Sequence, residues 1–202
     1  MRDKLKWVVA ATAAVLLCAS APRAAATESA ADGALLALQQ AHWVRVGSPH
    51  PRHVLYVFMD ANCPYCHTLW QALRPYYASG LQVRAILVGL IAASSPGKAA
   101  AILDAANPAA ALQLNEQRWG QGPDPRGGIA PVAHPSRRDR RTLARDAELM
   151  QAFGIQGTPG IVFTTADGKI YLLPGMPAVA DLPRLVATAG VPRTIAPAAT
   201  RR

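Results

Sequence analysis

An α/β fold, with one sheet covered by helices on both faces, is what this 202-residue sequence predicts. Two observations carry the prediction. The run Val54-Leu-Tyr-Val-Phe-Met59 is almost continuously apolar, as a central strand buried on both faces must be. Strand-like and helix-like segments then follow in the order strand, helix, strand, helices, hairpin, helix.

The chain opens with Arg2, Lys4 and Lys6, an uncharged apolar stretch from Trp7 to Ala21, and the small-residue site Ala24-Ala25-Ala26. This is the pattern of a secretory signal over 1–26, cut after Ala26. Its apolar stretch is short of the about 20 residues a membrane span needs. Residues 27–33 read as a flexible leader and Ala34–His42 as a short helix. Trp43–Val46 alternates as a strand does, and Gly47–Pro51 is a turn. The strand Val54–Met59 leads into a helix running to about Tyr77, and Leu81–Val88 is a second buried strand.

From 94 to 153 the pattern turns helical. Lys98–Ala106, Ala109–Trp119 and Leu143–Phe153 read as helices, with Pro108 at one boundary and Gly/Pro-rich loop over 120–135. Ile161–Thr164 and Ile170–Leu173 form a hairpin around Asp167-Gly168. Leu182–Ala189 closes the fold, and 191–202 reads as a disordered tail. The whole suits a thioredoxin-like sheet over 43–190 with an inserted helical region at about 94–153.

Three cysteines are present. Cys18 falls in the signal segment, so Cys63 and Cys66 remain, in the run Asp60-Ala-Asn-Cys-Pro-Tyr-Cys-His67. A dithiol with two residues between its cysteines, placed at a strand-to-helix turn, is a redox signature. A structural disulfide framework would show more cysteines, more widely spaced. Cys63, at the exposed helix edge, is the expected nucleophile, because unpaired N–H groups there stabilise a thiolate. Cys66, one turn inside, is the expected resolving thiol, and Cys63–Cys66 the disulfide of the oxidised form. Pro64 and Tyr65 are expected to tune the thiolate, and His67 to add charge beside it. Leu69 and Trp70 read as core. Gly157-Thr158-Pro159-Gly160 is compatible with a cis bond in a tight loop that pairs with an extended substrate.

A structural zinc site would need two more ligands than the cysteine pair supplies, so no metal or other cofactor is expected. The net charge of +9 rests partly on Arg137-Arg138-Asp139-Arg140-Arg141 and Arg201-Arg202. These read as a solvated loop and a loose tail. Basic residues are not interleaved with aromatics, so nucleic-acid binding is not expected. Val57 occupies the position, six residues before Cys63, where some enzymes with this architecture keep a buried acid. Proton transfer is left to water or another group.

With these residues placed, the chain resembles the periplasmic DsbC/DsbG disulfide isomerase family, and DsbG most. The resemblance runs from about Ala41 to Leu185. It rests on Ala41-His-Trp43, Tyr56-Val-Phe58, Cys63-Pro-Tyr-Cys66, Arg74-Pro75, Leu87-Val-Gly89, Ser95-Pro96, Ala99-Ala-Ala-Ile-Leu103 and Thr158-Pro159. It implies a periplasmic thiol:disulfide interchange enzyme, with Cys63 attacking, Cys66 as partner, and a cis-Pro159 after Thr158. Its clients would be secreted proteins with misformed disulfides or single cysteines oxidised to sulfenic acid. A DsbD-type membrane reductase would keep the pair reduced. Family members carry a dimerisation domain and linker helix ahead of this domain, whereas 27–42 matches only a remnant of the linker. A monomer with weak isomerase activity is therefore expected. The alternatives are a DsbA-like oxidant and a non-redox chaperone of the same fold.

Overall fold

The computed structural model describes residues 22–121 and 126–196. Its elements are α1 (Pro22–Gln40), β1 (Trp43–Gly47), β2 (His53–Asp60), α2 (Pro64–Leu73), β3 (Leu81–Val88), α3 (Ser95–Leu103), α4 (Pro108–Gln117), α5 (Arg137–Ala152), β4 (Gly160–Thr164), β5 (Ile170–Pro174) and α6 (Leu182–Thr188). Short 3-10 turns lie at Arg74–Tyr76 and Val179–Asp181.

The five strands form one sheet in the order β1-β3-β2-β4-β5. β2 and β3 are parallel, joined by the α2 crossover, while every other pairing is antiparallel. β2 is central, and every residue from Val54 to Asp60 is buried. Side-chain alternation divides it between two cores. Leu55, Val57 and Met59 face Leu69 and Leu73 of α2 and Leu182 and Leu185 of α6. Val54, Tyr56 and Phe58 face Leu38 of α1 and Met150 of α5. Helices α3 to α5 stand between β3 and β4, where the inserted region was expected.

The structure corrects three expectations. The first helix extends back to Pro22, so residues 27–33 are helical rather than a flexible leader. The basic run at 137–141 is not loop. It forms the first turns of α5, because Ser136 and Asp139 close a capping box: Ser136 Oγ accepts from the Asp139 N–H, and the Ser136 N–H donates to Asp139 Oδ2. Ser136→Ala is expected to cost about 1 kcal/mol in urea denaturation, with the helix start fraying. Finally, part of the expected tail is held. Gln39 Nε2 donates to Arg193 O, the Ile195 N–H donates to Gln39 Oε1, and Arg193 pairs with Asp32. Most of the signal segment (1–21) and the last six residues lie outside the described residues, as does Cys18.

One buried acid sits on α5 beside the start of β1. Asp146 of α5 is 3 % exposed. One of its oxygens accepts from the His42 backbone N–H, and Oδ2 has no partner among the described residues. It lines a cavity of about 280 Å³ with Gln40, His42, Thr142 and Arg145. Burial pushes its carboxyl up to about 7.

Candidate active site

The C-terminal end of β2 delivers Cys63 to the start of α2. Cys63 is the N-cap, extended at φ −83° and ψ 116°, and its Sγ accepts from the Cys66 N–H at 3.2 Å. Pro64 starts the helix where a missing N–H costs nothing. The Thr158–Pro159 bond is cis. Cys63 Sγ donates to Thr158 O at 3.2 Å. The Thr158 hydroxyl is buried without a partner of ordinary geometry, yet it lies close enough to both sulfurs to favour their thiolates. Sequence positions 63, 66, 158 and 159 thus meet at one point. Cys63 is not at an exposed edge as expected: it is 1 % exposed, because the Thr158 loop lies over its sulfur. Tyr65, by contrast, is 64 % exposed, and Leu90 and Ile91 add apolar surface at the same end of the sheet.

Both cysteines are free thiols, the reduced half of the expected couple. Their environments differ. The Cys66 thiol donating to Cys63 sulfur, helped by the Thr158 hydroxyl and by the Cys66 and Tyr65 N–H groups, brings Cys63 down to about 7 against the opposing cost of burial. Burial, then the neighbouring Cys63, pushes the Cys66 thiol well up. Cys66 backs onto an apolar cavity of about 20 Å³ lined by Val46, Val57, Met59, Leu69 and Leu112 among others. Val57 is therefore placed as expected, in apolar surroundings behind the buried thiol. Leu69 and Trp70 are core, as expected.

The loop before Cys63 is fixed by a buried polar network that the sequence reading missed. Asp60 Oδ1 accepts from the Asn62 N–H (2.9 Å) and Ser95 Oγ (2.7 Å), and Oδ2 from the Leu90 and Ile91 N–H groups (2.7 and 3.0 Å). Asn62 donates to Ser94 and Ser95 and accepts from Lys98 Nζ at 2.8 Å, which also donates to Gly127 O at 2.6 Å. Asn115 Nδ2 donates to Ala61 O at 3.0 Å. A Cβ on Gly127 would stand 2.1 Å from Ala61 O and 2.2 Å from Asn115 Oδ1, so only glycine fits. The signal was available in Asp60 and Asn62, two polar residues closing an apolar run.

His67 was expected to place charge near the thiols. Its ring lies stacked on Trp119 (4.6 Å between centroids, 15°) and against Trp70 (6.3 Å, 16°). Its Nδ1 is 2.9 Å from Oε2 of Glu116, which is 1 % exposed. Burial raises the Glu116 carboxyl, against the opposing pull of His67 and Asn115. Nothing in the 60–70 segment of the sequence points to Glu116, which comes from α4. Among the described residues, no group of three or more His, Cys, Asp or Glu is placed to hold a metal.

The family model for the thioredoxin-like domain matches residues 42–189. Two curated relatives are the thiol:disulfide interchange proteins DsbG of Pseudomonas aeruginosa (34% identical) and Escherichia coli (33%). Each match covers 69% of this chain, and 53% and 55% of the relatives, so the chain spans about half their length. Among solved structures, a periplasmic thioredoxin-like protein from Salmonella enterica serovar Typhimurium superposes with a TM-score of 0.60. It is 24% identical, over 76% of this chain and 94% of that one. The catalytic domain of Proteus mirabilis ScsC gives 0.60 at 23% identity, over 80% and 96%.

Proposed function

The chain belongs to the thioredoxin-like domain family, and from that premise we propose that it is a DsbG-like thiol:disulfide oxidoreductase acting on secreted proteins in the periplasm. The observation that carries this reading is the asymmetry of the pair. One thiol is poised near neutral pH against a cis-proline loop, and the other is buried and held protonated. The DsbG relatives support the same chemistry.

The Cys63 thiolate attacks one sulfur of a substrate disulfide. A mixed disulfide forms, and the other substrate sulfur leaves as a thiolate and takes up a proton. Cys66 then loses its proton and attacks Cys63 Sγ, closing the Cys63–Cys66 disulfide and releasing the second substrate thiolate. Two electrons pass to the substrate, and a DsbD-type membrane reductase restores them. In isomerisation the freed substrate thiol attacks the mixed disulfide instead, and the pair stays reduced. Thr158 and cis-Pro159 hold an extended client segment, and Tyr65, Leu90 and Ile91 offer it apolar surface. Pro64, Tyr65 and His67 set how well the Cys63 thiolate is stabilised. That stabilisation also supports a second reading, a DsbA-like oxidant, since a stable thiolate makes the disulfide more oxidising.

Cys66→Ala tests the reading. Release needs Cys66, so secreted proteins should accumulate on Cys63 as mixed disulfides, seen as reductant-sensitive bands. The same bands on Cys63→Ala, or none on Cys66→Ala, would sink it. The in vivo state of the pair separates the two directions: a mostly reduced pool fits the reductase and isomerase, an oxidised pool the oxidant.

A further inference from the structure

Glu116 lies outside the strand–turn–helix unit that carries the dithiol, yet its carboxylate is built into that unit. Through Oε2 it meets His67 Nδ1 at 2.9 Å, and through Oε1 it accepts from Asn115 Nδ2 at 3.1 Å. The same Asn115 amide holds Ala61 O, two residues before Cys63. His67 in turn closes the first turn of α2, its N–H donating to Cys63 O at 3.1 Å. The ring is held flat against Trp119, a face that attracts cations. Its side chain is 15 % exposed, so protons reach it, whereas the Glu116 carboxylate has no exposure.

We propose that Glu116 is a positioning residue for the dithiol: it pairs with His67 Nδ1 at the first turn of α2, and that pairing favours the reduced dithiol. A buried carboxylate is unfavourable without a cation, and an imidazolium between indole rings is unfavourable without an anion, so each stabilises the charged form of the other. His67 follows Cys66 directly and its N–H meets Cys63 O at 3.1 Å, whereas Glu116 joins this unit only through His67 and Asn115. Two other groups face the pair. Tyr77 feels the Glu116 charge, and Arg74 lies over the Trp70 ring at 5.0 Å.

This inference rests on the dithiol reading above, and its test is separable from it. The reduced and oxidised protein is equilibrated with glutathione at pH 7: protein disulfide and two glutathione thiols give protein dithiol and one glutathione disulfide. Thiolate absorbance is followed against pH in parallel. Glu116→Gln is expected to lower the equilibrium constant for this reduction about three- to tenfold, about 15–30 mV, and to raise the pH of Cys63 ionisation. His67→Gln should do the same, and the double variant should lose no more than His67→Gln alone, because Glu116 acts through His67. Glu116→Asp, which keeps the charge but draws it back from Nδ1, should fall between. It also serves if Glu116→Gln does not fold, a wild-type value then overturning the proposal. A change below about 1.5-fold in Glu116→Gln, a rise in the constant, or losses that multiply in the double variant overturn it. A wild-type protein that does not equilibrate with glutathione overturns the dithiol reading itself.

Discussion

Iodoacetamide is expected to alkylate Cys63 with a half-maximal rate near pH 7 and to leave Cys66 almost unmodified until well above pH 9. The two thiols are both nearly inaccessible, at 1 % and 2 % exposure, so accessibility alone does not separate them. Ionisation does. With Cys63 at about 7, about half is thiolate at neutral pH. With Cys66 well above 9, under about 1 % is. A lower pKa also weakens a thiolate as a nucleophile, by about eightfold over two units at a Brønsted slope of 0.4–0.5. The roughly fiftyfold advantage in thiolate fraction outweighs that loss. Cys63→Ser should therefore abolish the fast phase and reduce disulfide reductase activity to buffer background, since a serine hydroxyl does not ionise in this range. In Cys66→Ser the Cys63 inflection should stay below that of Cys66→Ala, because the hydroxyl keeps a donor to the sulfur and alanine removes the largest stabilising contact. Mass spectrometry of alkylated peptides against pH reads all of this. Faster modification of Cys66 than of Cys63 would reverse the roles assigned to them.

Asp146→Asn is expected to stabilise the protein at pH 8 by about 2–4 kcal/mol and to leave it unchanged near pH 4. In the fold the Asp146 carboxyl is raised from 3.8 to about 7, so the native state binds this proton more tightly than the unfolded chain does. Stability is then full below about pH 4, falls as pH rises through the window to about 7, and stays low above it. Three units at 1.36 kcal/mol each set the upper limit, about 4 kcal/mol. Asparagine is neutral throughout and keeps an oxygen for the His42 N–H. Its amide takes the place of Oδ2, buried in the wall of the cavity of about 280 Å³. Urea midpoints for both proteins at pH 4, 6 and 8 should converge at the acid end and separate at the alkaline end. Parallel curves would show that Asp146 is already ionised at no cost.

Elements whose burial is written into consecutive residues were legible from the sequence. β2 is apolar from Val54 to Met59 and β3 mostly so, and the turn glycine Gly168 is flanked by two strand-like runs. The dithiol and Thr158-Pro159 could be named because each is a short motif. The start of α5 was not legible from apolar periodicity, since its first turns are five mostly basic residues. Only the Ser136/Asp139 cap declares it. The support of the site was least legible. Lys98, Asn115, Glu116 and Gly127 are brought to the Cys63 loop by tertiary packing of α3, α4 and the following segment. No local spacing encodes contacts over 29 to 54 residues. Cys63 was misplaced at an exposed edge for the same reason, because the loop that covers it arrives 95 residues later.

The Gly127–Lys98–Asn62 cradle also sets an order of assembly. A chain emerging N-terminus first presents Cys63 and Cys66 long before residues 98, 115 and 127 exist to fix the turn that carries them. Until then neither sulfur has the Thr158 loop or the tertiary burial that distinguishes it. Competence for exchange therefore waits for the Thr158 loop, 95 residues after Cys63, as well as for the inserted helices. A dithiol read early in the chain is a property of its completed second half.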